Sequence, residues 1–230
     1  MNTISKNNIK YGDIIACLLV TFIITGVTLT YREVKLGSLI LPGGVFAVAA
    51  SFAVIDIIAE VYGYAFCRRL IWIIIICQIA ASFVIFIVLH LPVPANWAWE
   101  QDYDKVLGSV QRVVVANVIS SLLGYFLNAY LITKAKILTK GRSFWLRSIL
   151  SSAVGEGIYN IFWVLISFGH ALSEFETMHM MFSMWLYKIV FTTIINVPGS
   201  FFVKFLKEKE GIDNFDYNTN FSPFKLSIDE

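Results

Sequence analysis

The sequence predicts an all-α polytopic membrane protein with six transmembrane helices and both termini in the cytoplasm. Three observations predict it. Hydrophobic residues make up 57% of the 230 residues and charged residues only 15%, whereas soluble domains carry about 45–50% and about 25%. Six apolar segments follow one another along the chain, and each matches the roughly 20 residues that a helix needs to cross a bilayer. Lys and Arg, finally, crowd onto one side of the six segments. The composition excludes a disordered chain, a disulfide scaffold and an ordinary soluble enzyme. A net charge of +2 is too small to suggest nucleic acid as a partner.

The first segment, Tyr11–Tyr31, follows Lys6 and Lys10 and so mimics a signal peptide. It is too long for one and lacks a small-residue cleavage site, so the expectation is an uncleaved helix. The second, Leu39–Tyr62, carries Pro42-Gly43-Gly44 near its start, a place to bend or break. The third and fourth are Leu70–Leu91 and Val110–Ile132. The fifth is Ile149–Phe168, and the sixth, Met180–Phe205, holds Pro198-Gly199 as a possible kink. Alternation of period two is absent, which argues against a β-barrel. In lipid the backbone must satisfy its own hydrogen bonds, which makes the segments helices. The 230 residues are expected to form one membrane domain, with 206–230 as a solvated cytoplasmic tail.

Orientation follows from the basic residues. Lys6, Lys10, Arg68, Arg69, the Lys134–Arg147 stretch and the Lys204–Lys209 stretch fall on the side of the termini. Arg32, Lys35, Lys105 and Arg112 fall on the other. Positive residues stay inside, so the termini are expected in the cytoplasm.

Four charged residues lie within the segments: Asp56, Glu60, Glu156 and Lys188. A charge at mid-membrane costs about 2.5–3.5 kcal/mol on insertion scales, so each asks for a partner or a function. Asp56 and Glu60 stand four apart, on one helix face. Glu60 is expected to pair with Arg68 and Arg69 and fix the turn between the second and third segments, a structural or coupling role. Asp56 lies deeper, with binding and structural readings equally open. In the fifth segment Ser152, Glu156 and Asn160 form a polar stripe, with Glu156 the strongest functional candidate. Lys188 is either a binding residue or one that snorkels outward. In the fourth segment Ala116, Ser120, Gly124 and Asn128 repeat every four residues, a spacing that lets helix backbones approach. Asn128 and Asn117 are candidate hydrogen-bonding residues there.

Cys17, Cys67 and Cys77 form no CxxC and no Cys/His cluster, so neither a metal site nor a disulfide is expected. P-loop and hydrolase motifs are absent from the sequence. No cofactor and no catalytic residue is expected.

Several stretches in order resemble a known family. Asp56-Ile57-Ile58-Ala59-Glu60-Val61-Tyr62-Gly63-Tyr64 leads into Cys67-Arg68-Arg69-Leu70-Ile71-Trp72. Leu127-Asn128-Ala129-Tyr130 leads into Lys134-Ala135-Lys136, and Trp145-Leu146-Arg147 into Gly155-Glu156-Gly157-Ile158. The tail reads Phe215-Asp216-Tyr217-Asn218-Thr219-Asn220-Phe221, then Pro223-Phe224. These resemble the queuosine precursor transporter family, also called the YhhQ or VUT family, over nearly the whole chain. The resemblance implies uptake of a 7-deazaguanine (preQ0, preQ1 or queuine) for queuosine synthesis in tRNA, across a bacterial inner membrane. It also implies a distant likeness to the six-helix substrate-binding subunits of energy-coupling-factor transporters. An alternative function is therefore such a binding subunit, which needs a separate ATPase module. Gly12 and Ala16 would then be a weak docking face. Expected partners are the small-molecule substrate and the lipid bilayer. A homo-oligomer is left open, and the ATPase module is the less favoured partner.

The chemistry fits. A guanine-like edge presents two N–H donors that a carboxylate accepts together, and its carbonyl wants a donor such as Asn or Lys. Glu156, Asn160, Asn128, Lys188 and Asp56 supply polar groups, and Tyr159 and Trp163 supply aromatic slabs. Two departures stand out. Tyr159 replaces an acid that usually follows the Gly-Glu-Gly-Ile pattern, and no acid stands near Phe191 and Thr192. If those acids contact the amine of preQ1, another deazaguanine is favoured here.

Overall fold

The computed structural model describes residues 9–225. Lys6 and the last five residues of the expected tail lie outside them. Five helices are long and apolar enough to cross a membrane, and a sixth, shorter one precedes them. With one further short helix, α4, the order is α1 (Gly12–Thr28), α2 (Gly44–Tyr62), α3 (Tyr64–Leu89), α4 (Glu100–Leu107), α5 (Val110–Leu138), α6 (Phe144–Phe168) and α7 (Glu174–Glu210). Their exposed faces carry Ile76, Phe83, Val84, Leu150, Ile194 and Phe201, apolar side chains suited to lipid tails. α2 is the most enclosed helix and touches all five of the other long ones or their ends.

The second apolar segment does not begin as a helix. Strands β1 (Glu33–Leu36) and β2 (Leu39–Pro42) pair antiparallel, with Leu36 opposite Leu39. The two-residue loop is Gly37-Ser38, and Gly37 has a φ of +60°, the conformation such tight loops ask of glycine. Pro42 ends the ladder because it has no N–H to give. The helix then starts at Gly44. Pro198, in contrast, sits inside α7 and the helix continues through it.

Most of the remaining ends reach beyond the apolar segments, although α1 is shorter at both ends and α3 stops before Leu91. α3 starts six residues earlier than Leu70, α6 starts at Phe144, and α7 runs from Glu174 to Glu210. Helix ends that leave the hydrocarbon take polar residues, so hydropathy truncates them. A capping box opens α7: Ser173 Oγ accepts from the Glu176 N–H, and Glu176 accepts from the Ser173 N–H at 2.9 Å.

The most extensive interface is α5 against α6. The four-residue repeat of small side chains in α5 is buried there. A Cβ on Gly155 would stand 2.6 Å from Asn128 Cβ and 2.9 Å from the Gly124 carbonyl oxygen. A Cβ on Gly124 would stand 2.6 Å from Tyr159 Cβ. Two glycines facing each other thus let the backbones meet. Gly12 is also buried in packing, with its Cβ position 3.0 Å from the Phe66 ring, so it forms no free docking face.

Residues 211–225 keep many side chains exposed but are tied to the bundle. They lie across the ends of α2, α3 and α5, at the end of the bundle where the described chain both starts and finishes. Asn214 donates its N–H to the Val61 carbonyl at 3.1 Å. Asp216 accepts from the Tyr64 N–H at 3.0 Å and so caps α3. Arg68 donates to the carbonyls of Asn220 (2.8 Å) and Ser222 (2.9 Å), and Trp72 Nε1 to that of Pro223 (2.8 Å). Gly63 joins α2 to α3 with a φ of +85°, and a Cβ there would collide with the tail, 2.8 Å from Asp216 Oδ2. Glu210 ties the N-terminal side in, accepting from the N–H groups of Lys10 (2.8 Å) and Tyr11 (2.9 Å) and from Tyr62 Oη (2.7 Å).

The glycine crossing yields a first prediction. Gly155→Ala forces the α5 and α6 backbones apart and destabilises the protein by about 1–3 kcal/mol. The thermal midpoint of the purified variant in detergent falls, while Gly37→Ala moves strain only into an exposed loop. An unchanged midpoint for Gly155→Ala would contradict the packing described.

Candidate functional site

Polar residues line the inner faces of α2, α5, α6 and α7 in a ladder. On α6 the ladder reads Arg147, Ser148, Ser152, Glu156, Asn160 and Trp163, all buried. At 1.5 Å per residue it runs about 24 Å along the helix. It divides into three clusters.

The first cluster centres on Glu60, near the end that carries the tail. Arg147 Nη1 donates to Glu60 Oε2 at 2.7 Å and Lys207 Nζ to Oε1 at 2.7 Å. Lys136 Nζ lies 3.9 Å from Oε1 and donates to the Glu60 carbonyl at 2.5 Å. Lys136 also bonds Asp213 Oδ1 (2.6 Å) and the Asn214 carbonyl (2.6 Å). The expected pairing of Glu60 with Arg68 and Arg69 is not what forms. Arg68 turns to the tail carbonyls and Arg69 is exposed. The Gly63 break sends α3 away from the Glu60 face, while α5, α6 and α7 bring three cations to it.

Two tail carboxylates respond in opposite ways. Burial raises the Asp213 carboxyl, but hydrogen bonds from Lys136 and Lys207 outweigh it and hold Asp213 below the ordinary aspartate value. Burial dominates at Asp216 and pushes it up, against hydrogen bonds from Thr219 and the Tyr64 N–H.

The second cluster surrounds Asp56, one turn deeper on α2. Asn128 Nδ2 donates to Oδ1 at 2.6 Å and Ser152 Oγ to Oδ2 at 2.9 Å, and Ser148 Oγ also donates to Oδ2. All three are neutral groups. Asp56 and Asn128 thus belong together, apart from the next cluster.

The third cluster holds Glu156, Asn160, Lys188, Tyr159 and Trp163. Lys188 is fully buried and does not snorkel. Its ammonium donates to Asn160 Oδ1 at 2.8 Å and lies 4.6 Å from the centre of the Tyr159 ring and 5.3 Å from that of Phe52, a cation–π arrangement. Tyr159 Oη donates to Asn117 Oδ1 at 2.8 Å. Lys188 and Glu156 attract each other, and the Thr192 hydroxyl stands beside the carboxylate without closing a hydrogen bond. Neither oxygen of Glu156 has a hydrogen-bond partner among the described residues, nor do Asn160 Nδ2, Trp163 Nε1 or the hydroxyls of Ser167, Ser183 and Thr192. More than about 90% of buried polar groups are normally satisfied. So many orphans on one inner surface mark a place built to bond something else. A cleft lined by Asn117, Tyr159, Trp163, Met184, Lys188 and the α1–α2 crossing at Gly26 and Gly44 meets this cluster at Lys188, Tyr159 and Trp163, while Glu156 and Asn160 stand behind its wall. It is closed down to about 10 Å³, the room of one water molecule.

A larger groove of about 380 Å³ lies between α3 and α5, lined by Ile79, Phe83, Phe86, Val115 and Val118 with Ser82 and Gln111. It offers almost no polar chemistry and faces where lipid tails would lie, so the polar cleft is the candidate site.

A family model described as "Putative vitamin uptake transporter" matches residues 42–203. The chain belongs to that family. The match spans β2 to α7 and contains Asp56, Glu60, Asn128, Arg147, Glu156 and Lys188. No curated protein and no solved structure matches the chain. Membership makes this a multi-pass membrane protein of a transporter family.

Sequence reasoning missed Ser148, Arg147, Lys136, Lys207 and Thr192 as members of the ladder. Their signal was present as steps of four: Lys188 to Thr192, and Ser148 to Ser152 to Glu156. It went unused where the steps ran past the apolar segments into residues counted as loop charge.

Two predictions follow from the Glu60 cluster. Glu60→Gln leaves three cations around a neutral group and costs about 3–5 kcal/mol, read as a lowered thermal midpoint. Arg69→Gln, at an exposed position, leaves the midpoint nearly unchanged. Equal effects would restore the Arg69 pairing. The second concerns acid. Asp213 has a lower value folded than unfolded, so its contribution is fully present above the ordinary aspartate value of about 3.9 and is lost as pH falls through the folded value. Proteolysis of the tail therefore accelerates on acidification below about pH 4, and Asp213→Asn flattens that acid limb. A limb unaltered by Asp213→Asn would assign it to another group.

Proposed function

We propose that the protein imports a queuosine precursor, a 7-deazaguanine such as preQ0, preQ1 or queuine, across a bacterial inner membrane, with both termini in the cytoplasm. It works as a carrier with no catalytic step of its own. The observation that carries this reading is the set of unpartnered buried polar atoms on α6 and α7. Glu156 offers two free acceptors where a guanine edge offers two donors. Asn160 Nδ2 and Lys188 are donors for the base carbonyl, and Trp163 supplies a flat apolar wall with a free N–H. Tyr159 holds the ammonium of Lys188 from below and is itself held by Asn117. Tyr159 stands where the family usually has an acid and no acid stands around Phe191 and Thr192, which favours a base without an amine if those acids pair with one.

The class is carried by the family and the helices, and the substrate by the match of donors and acceptors together with the resemblance in the signature stretches. A cell unable to make the precursors, expressing this chain, regains queuosine in its tRNA when fed preQ0, preQ1 or queuine. No restoration with any of the three rejects the substrate.

Glu156→Gln sharpens the test. It keeps one acceptor but turns the other towards the ligand as a donor, against the ligand's own N–H. The loss is about 1–3 kcal/mol, or roughly 5- to 150-fold in affinity. The variant folds, because an uncharged amide is easier to bury than a carboxylate without hydrogen bonds. Binding of the restoring base and thermal unfolding are measured on the same preparation. Unchanged affinity removes Glu156 from the site, and a collapse of folding makes its role structural.

A further inference from the structure

Asp56 and Glu60 are carboxylates one helical turn apart, both buried, yet their surroundings differ in kind. Around Glu60 every partner is a cation: Arg147, Lys207 and Lys136. Guanidinium and ammonium groups only donate, so a protonated Glu60 would leave them without an acceptor. Glu60 must hold its charge for the end of the bundle to stay closed.

Around Asp56 every bonded partner is neutral and reversible. The hydroxyls of Ser148 and Ser152 donate to Oδ2 now, and each can turn to accept instead. Asn128 gives its Nδ2 to Oδ1, while its own Oδ1 is buried and has no partner. A rotation of the amide would present that oxygen to a proton on Asp56. The pocket can therefore satisfy the carboxylate and the carboxylic acid alike. The other ionisable groups around it do not fix its state. On α2 Glu60 is occupied with its own cations. On α3 the Cys67 thiol donates to the Ile55 carbonyl, on α5 Lys136 is bonded to the Glu60 carbonyl and Asp213 and Tyr125 to Ser51, and on α6 Arg147 is bonded to Glu60 and Glu156 lies one turn beyond. On α7 Lys207 bonds Glu60 and Lys188 bonds Asn160. An ionised carboxylate this deep with only neutral donors is costly, and a proton is the ligand that relieves it without disturbing a single ion pair.

We propose that Asp56 carries an exchangeable proton that couples uptake of the base to the proton gradient. It binds one proton when its carboxylate faces the acidic side and releases the same proton on the other side, with Ser148, Ser152 and Asn128 reversing their hydrogen bonds. The coupling rests on the transport reading above, but the protonation of Asp56 does not.

The full-length protein in liposomes tests the coupling, with the membrane potential clamped at zero and labelled preQ0, preQ1 and queuine as probes. With the outside about one pH unit more acidic, one proton per base supports accumulation of about tenfold. Asp56→Asn brings the inside-to-outside ratio to one whatever the gradient, while label still exchanges between equal pools. Three results overturn the proposal: accumulation by Asp56→Asn at the wild-type ratio, accumulation driven by sodium and indifferent to pH, or loss of base binding in Asp56→Asn. If the wild type moves none of the bases, the transport reading fails, and infrared difference spectra between acid and alkaline pH decide the proton site alone. A carboxylic acid carbonyl band that vanishes in Asp56→Asn supports it, and the absence of any such band overturns it. Should Asp56→Asn not fold, Ser148→Ala and Ser152→Ala keep the carboxylate. A shift in the frequency of the band supports the site, and an unmoved band overturns it.

Discussion

The structure depends on one buried anion. Glu60 sits on the most enclosed helix and is 1% exposed, where a lone charge would cost several kcal/mol. Three helices that have little else polar at that level each send a cation to it. Arg147 comes from the first turn of α6, Lys136 from the last turn of α5 and Lys207 from the last turn of α7. Each arrival fixes the height of its helix against α2, because a shift of one turn would move the cation about 5 Å away. Van der Waals packing alone does not set height so firmly in lipid, where sliding exchanges one apolar contact for another. Lys136 then hands the constraint on to the tail through Asp213 and Asn214. The tail crosses the one-residue break at Gly63 and caps α3 with Asp216. One ion cluster thus sets the register of four helices and the path of the chain's last described residues.

From that cluster inward, satisfaction of polar groups falls off in order. Glu60 is bonded by cations, Asp56 by neutral donors, and Glu156 by no hydrogen bond at all among the described residues. The gradient follows the division of labour that physics allows. A group that holds helices together must be fully bonded, and a group that must exchange its partner cannot be. The Gly124–Gly155 crossing lies between the two regimes and brings α5 and α6 close enough for Asn128 of one and Ser152 of the other to meet on Asp56 of α2. Lys188 stands near Glu156 without occupying either of its oxygens by a hydrogen bond.

Much of this was legible in the sequence. The six apolar segments had to be helices, since hydrocarbon leaves the backbone no other choice, and the four charges within them had to matter. Asp56, Glu156, Asn160 and Lys188 were visible as residues the membrane would not tolerate without cause. The small-residue repeat of α5 was visible as a packing face. Partners were not legible. Arg68 and Arg69 were nearest to Glu60 along the chain, whereas its true partners lie 87 and 147 residues away and a third 76. Nothing in a linear distance reveals that Gly63 turns α3 off that face. The β1–β2 hairpin was hidden because Leu39–Pro42 is as apolar as the helix it precedes. The tail's polar composition concealed that its carbonyls, rather than its side chains, bind Arg68 and Trp72.

The two ends of the bundle are closed by unequal means, and this bears on how a transporter with this architecture would work. At the end with the tail, closure rests on buried ion pairs that are lost together only if α2 leaves α5, α6 and α7. At the other end the hairpin closes over the α1–α2 crossing with a four-residue ladder, and an exposed bond from Arg112 to the His170 ring links α5 to the turn after α6. Exposed polar contacts exchange with water at small cost, while buried pairs do not. The cleft beside Lys188 and Trp163 is lined by Gly26, Thr30 and Gly44, at the α1–α2 crossing where the hairpin runs into α2. A small movement of α1 and the hairpin would widen the cleft without touching the Glu60 cluster. Opening towards the tail requires breaking that cluster, with its three cations on one buried carboxylate.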